Sequence, residues 1–556
     1  MTALTKKIRD TYRLIRERGD DGTWLALIPE EKTLARTAEL EGRALPLWGM
    51  TFAVKDNIDV AGLPTTAGCP EFSYQPTQSA FVVQRLTDAG AIVIGKTNLD
   101  QFATGLNGTR TPHAIPRNSV NSKYISGGSS SGSAIAVARG AVDFALGTDT
   151  AGSGRIPAAF NNLVGYKPSK GRWSTSGLVP ACRSLDCMTV LTHSVAVALA
   201  IDRVVAGFDA ADPFSRQKPD SYVATKKCIG VLREDQCEFF GDVEYARLYD
   251  AAVGRCVTAG WEIETFDYAP FLEAASLLYQ GPWLAERRAA LRDFMTQNPG
   301  AMHPVVNEIV AGANRFSAEE TFLAAYKLAE IIRRALPTWE RCDAIMLPTA
   351  GTIYTVDEML ADPMRLNSRL GHYTNFVNLM DLCAIAVPAG FRSDGLPFGV
   401  SFIGPAWTED IQSQLAATFV QEAWNPYDVP GIHLAVVGAH LRGQPLHNQL
   451  LALGAVFCEQ TKTAPLYRLY ALPNTTPAKP GLVRAPAGHA IEVEVYTLSE
   501  AAFGRFVAAI PPPLTIGSIT LASGKMVKGF LCESVAVQDA QEISHLGGWR
   551  AFAAAE

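Results

Sequence analysis

Leu4, Ile8, Tyr12 and Ile15 recur at three- and four-residue intervals among charged side chains, which predicts helix through residues 1–45. From about residue 46 the texture changes to short apolar runs alternating with helical segments. Strands are predicted at 50–54, 91–94 and 142–146, and helices at 80–89 and 132–139. Strands separated by helices favour an α/β sheet with crossover connections. Helical periodicity dominates 243–336, with helices over 274–292 and 318–336. Strands return near 344–347, 384–387 and 399–403, before a helix at 409–423. The segment Asn425-Pro426-Tyr427-Asp428-Val429-Pro430-Gly431 is punctuated by proline, so 425–433 reads as a linker. A second, α+β pattern follows, with strands near 434–438, 467–472 and 491–498 and a helix over 500–510. A hairpin of 516–521 and 526–531 turns at Ala522-Ser523-Gly524-Lys525. The expected organisation is a helical segment 1–45, a main α/β domain 46–424, the linker, and a C-terminal domain 434–556.

Composition narrows this picture. A chain of 556 residues is too long for one ordinary core, so two or three domains are expected. The net charge is −6 and no lysine- and arginine-rich stripe is present, which argues against nucleic acid as a partner. No run of about 18 apolar residues exists, so no membrane span is expected. Residues 1–18 lack the apolar stretch of a signal peptide. Ten cysteines are scattered without a C-x-x-C pair, Cys182 and Cys187 being the closest. That spacing predicts reduced thiols, no metal framework and a cytoplasmic protein.

Candidate chemistry concentrates in two serine-glycine clusters, Gly127-Gly128-Ser129-Ser130-Ser131-Gly132-Ser133 and Gly147-Thr148-Asp149-Thr150-Ala151-Gly152-Ser153-Gly154-Arg155. A flexible linker is one reading of the first, although helix and strand patterns follow it at once. A phosphate cradle is another: Gly127-x4-Gly132 has P-loop spacing, but Ser133 stands where the lysine belongs. Gly128-Ser129-Ser130-Ser131-Gly132 also fits a G-x-S-x-G nucleophile elbow with Ser130 as nucleophile. That reading needs a strand before Ser130 and a histidine partner; His193, His303 and His372 are available, and none is singled out by its surroundings.

The fourth reading joins both clusters to Ala53-Val54-Lys55-Asp56. Together with Gly95-Lys96-Thr97-Asn98, Gly152-Ser153-Gly154-Arg155-Ile156-Pro157 and Gly165-Tyr166-Lys167-Pro168, they make the chain resemble the amidase signature family of serine hydrolases over roughly residues 45–425. The resemblance implies an amidase-signature mixed sheet covered by helices. It implies Ser153 as nucleophile, Ser129 as the bridging serine on a cis Gly128–Ser129 peptide, and Lys55 as base, with no cofactor and no metal. Lys96, Lys123 and Lys167 are then structural or surface lysines. A serine hydroxyl needs a neighbouring base, and lysine serves only when neutral, which desolvation in an apolar run favours. A Lys55–Asp56 ion pair is the competing reading. Thr150, Ala151, Gly152 and Ser153 are expected to aim backbone amides at the carbonyl oxygen, with Asp149 and Arg155 pairing to hold the loop.

Substrate choice rests on further resemblances. The segment Leu277-Leu278-Tyr279-Gln280-Gly281-Pro282-Trp283-Leu284-Ala285-Glu286-Arg287-Arg288 resembles that of the allophanate hydrolase subfamily, which implies Tyr279 and Arg287 as substrate-binding residues. An arginine fork suits a carboxylate, and a solvated surface helix is the alternative. Asp100-Gln101-Phe102-Ala103-Thr104-Gly105 resembles the same subfamily and implies a backbone contact from Gly105; His113-Ala114 departs from its pattern. Residues from Val436-Val437-Gly438-Ala439-His440 onward resemble that subfamily's C-terminal domain, a small barrel of the γ-glutamyl cyclotransferase type. The implied activity is hydrolysis of allophanate to ammonia and N-carboxycarbamate, followed by loss of carbon dioxide. His440 is the C-terminal candidate, with Glu494 near it, and a purely structural histidine is the alternative. A homodimer and a functional link to a urea carboxylase are expected, with urea and cyanuric acid both open as upstream sources. Another amidase, a glutamine amidotransferase subunit, and a non-catalytic organiser of a urea-degrading complex stay open as rivals.

Overall fold

The computed structural model describes residues 2–219, 228–422, 431–453, 455–473 and 475–553. The chain divides into a large unit, built from residues up to 218 and from 228 to 422, and a smaller one from 431 onward. Most of the linker expected at 425–433 lies outside the described residues.

The large unit is organised on an eleven-stranded mixed sheet. In chain order its strands are β1 (Trp24–Leu27), β2 (Thr51–Lys55), β3 (Ile92–Thr97), β4 (Phe144–Asp149), β5 (Val164–Lys167), β6 (Cys187–Thr192), β7 (Cys228–Leu232), β8 (Glu262–Phe266), β9 (Ala344–Pro348), β10 (Leu382–Phe391) and β11 (Pro397–Pro405). Their order across the sheet is β1-β3-β2-β4-β6-β5-β10-β11-β9-β7-β8. β2 runs parallel to both β3 and β4, while β10 and β11 form a long antiparallel pair. Central strands such as β2, β3, β4 and β6 are buried along their whole length and mostly apolar or small, apart from buried Lys55, Lys96 and Asp149 near their carboxyl ends.

Two readings of the sequence change. Residues 1–45 are not wholly helical: helices Ala3–Arg18 and Glu30–Leu40 flank β1, which pairs antiparallel with β3. The helix expected over 274–292 is two helices, Ala269–Gln280 and Trp283–Gln297. Pro282 has no amide hydrogen to offer the preceding turn, and Gly281 caps the first helix in extended conformation.

In the smaller unit, β12 (Ile432–Val436), β13 (Val456–Lys462), β16 (Glu492–Leu498), β17 (Leu514–Thr520) and β18 (Met526–Cys532) form a sheet ordered β13-β16-β12-β18-β17. Its two edges meet: Thr463 bridges Leu521, and the amides of Ala464 and Ala522 bond the carbonyls of Thr520 and Lys462, at 2.8 Å each. The sheet therefore curls toward a small barrel around Leu434, Val436, Val493, Val495, Ile519 and Trp549. β14 (Tyr467–Ala471), β15 (Pro480–Arg484) and β19 (Gln541–Glu542) make a separate three-stranded sheet.

Candidate active site

β2 and β4 are parallel neighbours, so their carboxyl ends lie side by side, the usual place for a site in such sheets. β2 ends in Lys55 and β4 in Thr148-Asp149. Two tight loops reach the same edge. One, 127–130, leads into helix Ser131–Ala138; the other, 150–154, leads into helix Arg155–Phe160. Small residues are obligatory here. A Cβ on Gly128 would lie 2.2 Å from an Asp100 carboxylate oxygen, and Gly152, at φ +121°, would place one 2.4 Å from Thr374 Oγ1.

Lys55 is fully buried, with Nζ 2.8 Å from Ser129 Oγ and 2.7 Å from Thr148 Oγ1. The Gly128–Ser129 peptide is cis. Burial pushes the Lys55 ammonium down to about 7, assisted by Arg287 and opposed by the carboxylates of Asp100, Asp186 and Asp149. Asp56 does not pair with Lys55. Its carboxylate forms a buried ion pair with Lys96 Nζ at 2.9 Å. Ser153 is buried, and its hydroxyl donates to the Gly105 carbonyl at 3.5 Å, the outer limit of a hydrogen bond. Asp149 and Arg155 form the expected pair, bidentate and fully buried, at 2.9 and 3.0 Å.

One expected amide donor is committed elsewhere. The Gly152 N–H donates to Asp149 Oδ1 at 2.8 Å, so it does not face the site; the amides of Thr150, Ala151 and Ser153 are the remaining members of that set. Ser130 is structural as well. Its hydroxyl donates to the Thr148 carbonyl at 3.2 Å and accepts the Thr148 amide at 3.3 Å, which clasps the serine-glycine loop onto β4. Of the candidate histidines, His193 Nε2 bonds the Val137 carbonyl at 2.9 Å, His372 packs on Tyr373 and Phe240, and His303 donates its amide to Gln101 Oε1 while its Nδ1 is buried without a hydrogen-bond partner among the described residues. Lys167 is buried and donates to the carbonyls of Pro168 and Leu382, whereas Lys123 is exposed.

Arg287 is buried at 2% exposure, and its Nη1 donates to Thr104 Oγ1 at 3.0 Å. Its Nε and Nη2 are buried without a hydrogen-bond partner among the described residues. Burial opposes its charge, but Cys182, Tyr279 and Asp186 outweigh that and raise the guanidinium further. Tyr279, from the preceding helix, places its ring 5.5 Å from the guanidinium carbon. Thr104 is the neighbour of Gly105, so Arg287 and the hydroxyl of Ser153 contact adjacent residues of one short loop. Asp100 shapes that loop by accepting the amides of Asn107, Gly108 and Arg110. His113 and Ala114 are exposed.

Sequence reasoning passed over Thr148, Thr104 and Asp186. Asp186 accepts Thr150 Oγ1 at 2.5 Å together with the amides of Ala181 and Cys182, and burial pushes its carboxyl up to about 6. Thr148 stands inside a quoted motif, which was the available signal; Asp186 had none.

In the smaller unit, His440 lies in the turn beyond β12. Its Nε2 lies 3.0 Å from Gln449 Oε1, and its ring stacks on Phe530 with a centroid separation of 5.3 Å. Burial lowers its pKa, against the Gln449 hydrogen bond. Glu494 is fully buried. It takes Arg442 Nε at 2.9 Å, Arg550 Nη2 at 2.7 Å and the Tyr496 hydroxyl at 2.8 Å.

A mixed sheet with a desolvated lysine and two buried serines at the carboxyl ends of its parallel strands is the arrangement of an amidase. Residues 19–411 match the family model Amidase, and the chain belongs to that family. Residues 432–554 match the model for the allophanate hydrolase C-terminal domain. A urea amidolyase of Lachancea kluyveri is 42% identical over 573 residues, covering 96% of this chain and 31% of the relative. The chain thus spans under a third of the length of that relative. The selenomethionine structure of Kluyveromyces lactis allophanate hydrolase is 41% identical with a TM-score of 0.82, covering 100% of this chain and 97% of that one. The glutamyl-tRNA(Gln) amidotransferase of Geobacillus stearothermophilus contains a polypeptide 32% identical over 459 residues, covering 75% of this chain and 94% of the relative. No helix among the described residues is long and apolar enough to cross a membrane.

Proposed function

We propose that the chain is a cytoplasmic hydrolase of allophanate, a small amide that carries a carboxylate. The observation that carries the substrate is Arg287, a buried cation with two unfilled nitrogens beside the loop that holds Ser153. Leaving charged donors unpaired in the interior is costly, and a carboxylate that binds them bidentately removes that cost. Tyr279 and the Gly105 backbone complete the substrate contacts.

Neutral Lys55 accepts the Ser129 proton while Ser129 takes that of Ser153, whose oxygen attacks the terminal carbamoyl carbon. The Ser153 hydroxyl must swing from Gly105 toward Ser129 for this step. Amides of Thr150, Ala151 and Ser153 steady the oxyanion. The proton returns to the departing amino group, ammonia leaves, and water hydrolyses the acyl-enzyme to N-carboxycarbamate. In the smaller unit His440, kept neutral by burial, assists loss of carbon dioxide, so that two ammonia and two carbon dioxide result. A urea carboxylase is the natural supplier of the substrate, and a homodimer the expected assembly.

The test is ammonia release by the purified protein from allophanate and from simple neutral amides. Ser153→Ala abolishes release, and Arg287→Ala depresses it for allophanate selectively. Retained turnover in Ser153→Ala overturns the nucleophile, and equal losses on all amides overturn the role of Arg287. The likeness to a glutamyl-tRNA(Gln) amidotransferase favours a second reading, glutamine hydrolysis; preference for glutamine over allophanate in the same assay would select it.

A further inference from the structure

The spacing of the cysteines along the chain suggests no metal framework, yet the fold brings two of them together. Cys228 opens β7, and Cys342 lies just before β9, the parallel neighbour of β7. β8 flanks β7 on its other side and presents Glu264 from its centre. Cys228 Sγ lies 3.5 Å from Cys342 Sγ and 3.9 Å from Glu264 Oε2, and the three atoms all fall within 4.8 Å of one another. The other oxygen of Glu264 is held by Arg341 Nε at 3.0 Å, which fixes the carboxylate with one oxygen toward the sulfurs.

A tetrahedral zinc site, with metal–sulfur bonds of about 2.3 Å and a metal–oxygen bond of about 2.0–2.2 Å, has edges of about 3.8 Å between sulfurs and about 3.5 Å between sulfur and oxygen. The Cys228–Cys342 and Cys228–Glu264 separations fall within a few tenths of an ångström of those edges, and Cys342 and Glu264 lie within 4.8 Å of each other. A disulfide would instead require the sulfurs to approach to about 2.05 Å, and it would give the carboxylate no part. Burial pushes the Cys228 thiol up, opposed by its hydrogen bond with Cys342 and helped by Glu264, Asp343 and Glu262, and burial with the neighbouring Cys228 pushes Cys342 up to about 12. Thiols held protonated in this way are poor redox centres.

We propose that Cys228, Cys342 and Glu264 bind one thiophilic divalent cation of the zinc class, which staples the β9-β7-β8 edge of the sheet. Two thiol protons pass to solvent as the sulfurs ligate. Glu264 is 41% exposed, so water has access to the fourth position. This edge of the sheet is remote in strand order from the Lys55 site between β2 and β4.

The experiment uses the reduced, chelator-stripped full-length protein, titrated with Zn2+ against a chromogenic chelator and with Cd2+ for thiolate-to-metal charge-transfer absorbance. One saturable ion per chain is expected, with a raised Tm, since a ligand of the native state alone stabilises it. Cys228→Ser and Cys342→Ser should abolish the charge-transfer band. Glu264→Gln, half-exposed and safe for folding, should weaken binding at least about tenfold. Absence of saturable binding overturns the site, as does unchanged affinity in Glu264→Gln or an unchanged band in folded cysteine variants.

Discussion

Lys55 and Arg287 are cations buried in one site, and the groups around them set their charge states apart. Lys55 meets two neutral hydroxyls, so burial decides and brings it down to about 7; Arg287 starts far higher and stays charged. The base acts when neutral, so kcat/KM should rise with pH through an apparent pKa near 7 and then level off; a flat profile from pH 5 to 9 would count against Lys55. Thr148 Oγ1 stabilises the ammonium more than the free amine. Thr148→Val should therefore move that rise to lower pH, whereas a rise displaced upward would contradict the assignment. Lys55→Arg, which cannot deprotonate, should lose at least about a hundredfold in kcat. Lys55, Ser129 and Ser153 were singled out through the motifs that resemble the amidase signature. Asp186 and Thr104 were not: an aspartate that receives Thr150 and a threonine that receives Arg287 owe their roles to partners 36 and 183 residues away.

At the level of elements, the interruption at Gly281-Pro282 shapes the approach of Tyr279 to Arg287. Eight residues of continuous helix would set Tyr279 and Arg287 about 12 Å apart along the axis. With the helix broken, the ring lies 5.5 Å from the guanidinium carbon. Apolar periodicity runs through the break, which is why one helix was expected, and only the glycine-proline pair marked it. Pro282→Ala removes the obstacle to a continuous helix and should raise KM for allophanate with little change in kcat; unchanged KM would show that the break does not position the pair. β8 was missed for a different reason: an edge strand reading Glu-Ile-Glu-Thr-Phe with mixed exposure offers no apolar run to recognise. Between β3 and the end of β2, the Lys96–Asp56 pair has both side chains out of water. Lys96→Met leaves Asp56 charged and unpaired by lysine, and should cost about 3–5 kcal/mol in denaturant unfolding. Adding Asp56→Leu should recover a large part of that loss, and failure to do so would mean the lysine acts chiefly through packing.

Across the whole molecule, the residues of the candidate site and the second apolar core fall in different units. The large unit carries Lys55, Ser129, Ser153 and Arg287, and the smaller one encloses its own apolar cluster from Leu434 to Phe552 around a sheet whose edges meet. A change of pattern after a proline-rich segment pointed to a second domain, and its barrel form came only from the family resemblance, because closure depends on contacts between Thr463 and Leu521. If the first step needs only the large unit, a protein ending at residue 422 should fold cooperatively and release the first ammonia from allophanate at the full-length rate. N-carboxycarbamate would then decay at its uncatalysed rate, so carbon dioxide should lag ammonia in the truncated protein and keep pace in the intact one. His440→Ala in the full-length chain should reproduce that lag without slowing the first ammonia. Ammonia release lost on truncation would tie the amidase site to the second unit. Equal carbon dioxide kinetics in all three proteins would remove the second unit from the chemistry and leave His440, stacked on Phe530 and bonded to Gln449, as a structural residue.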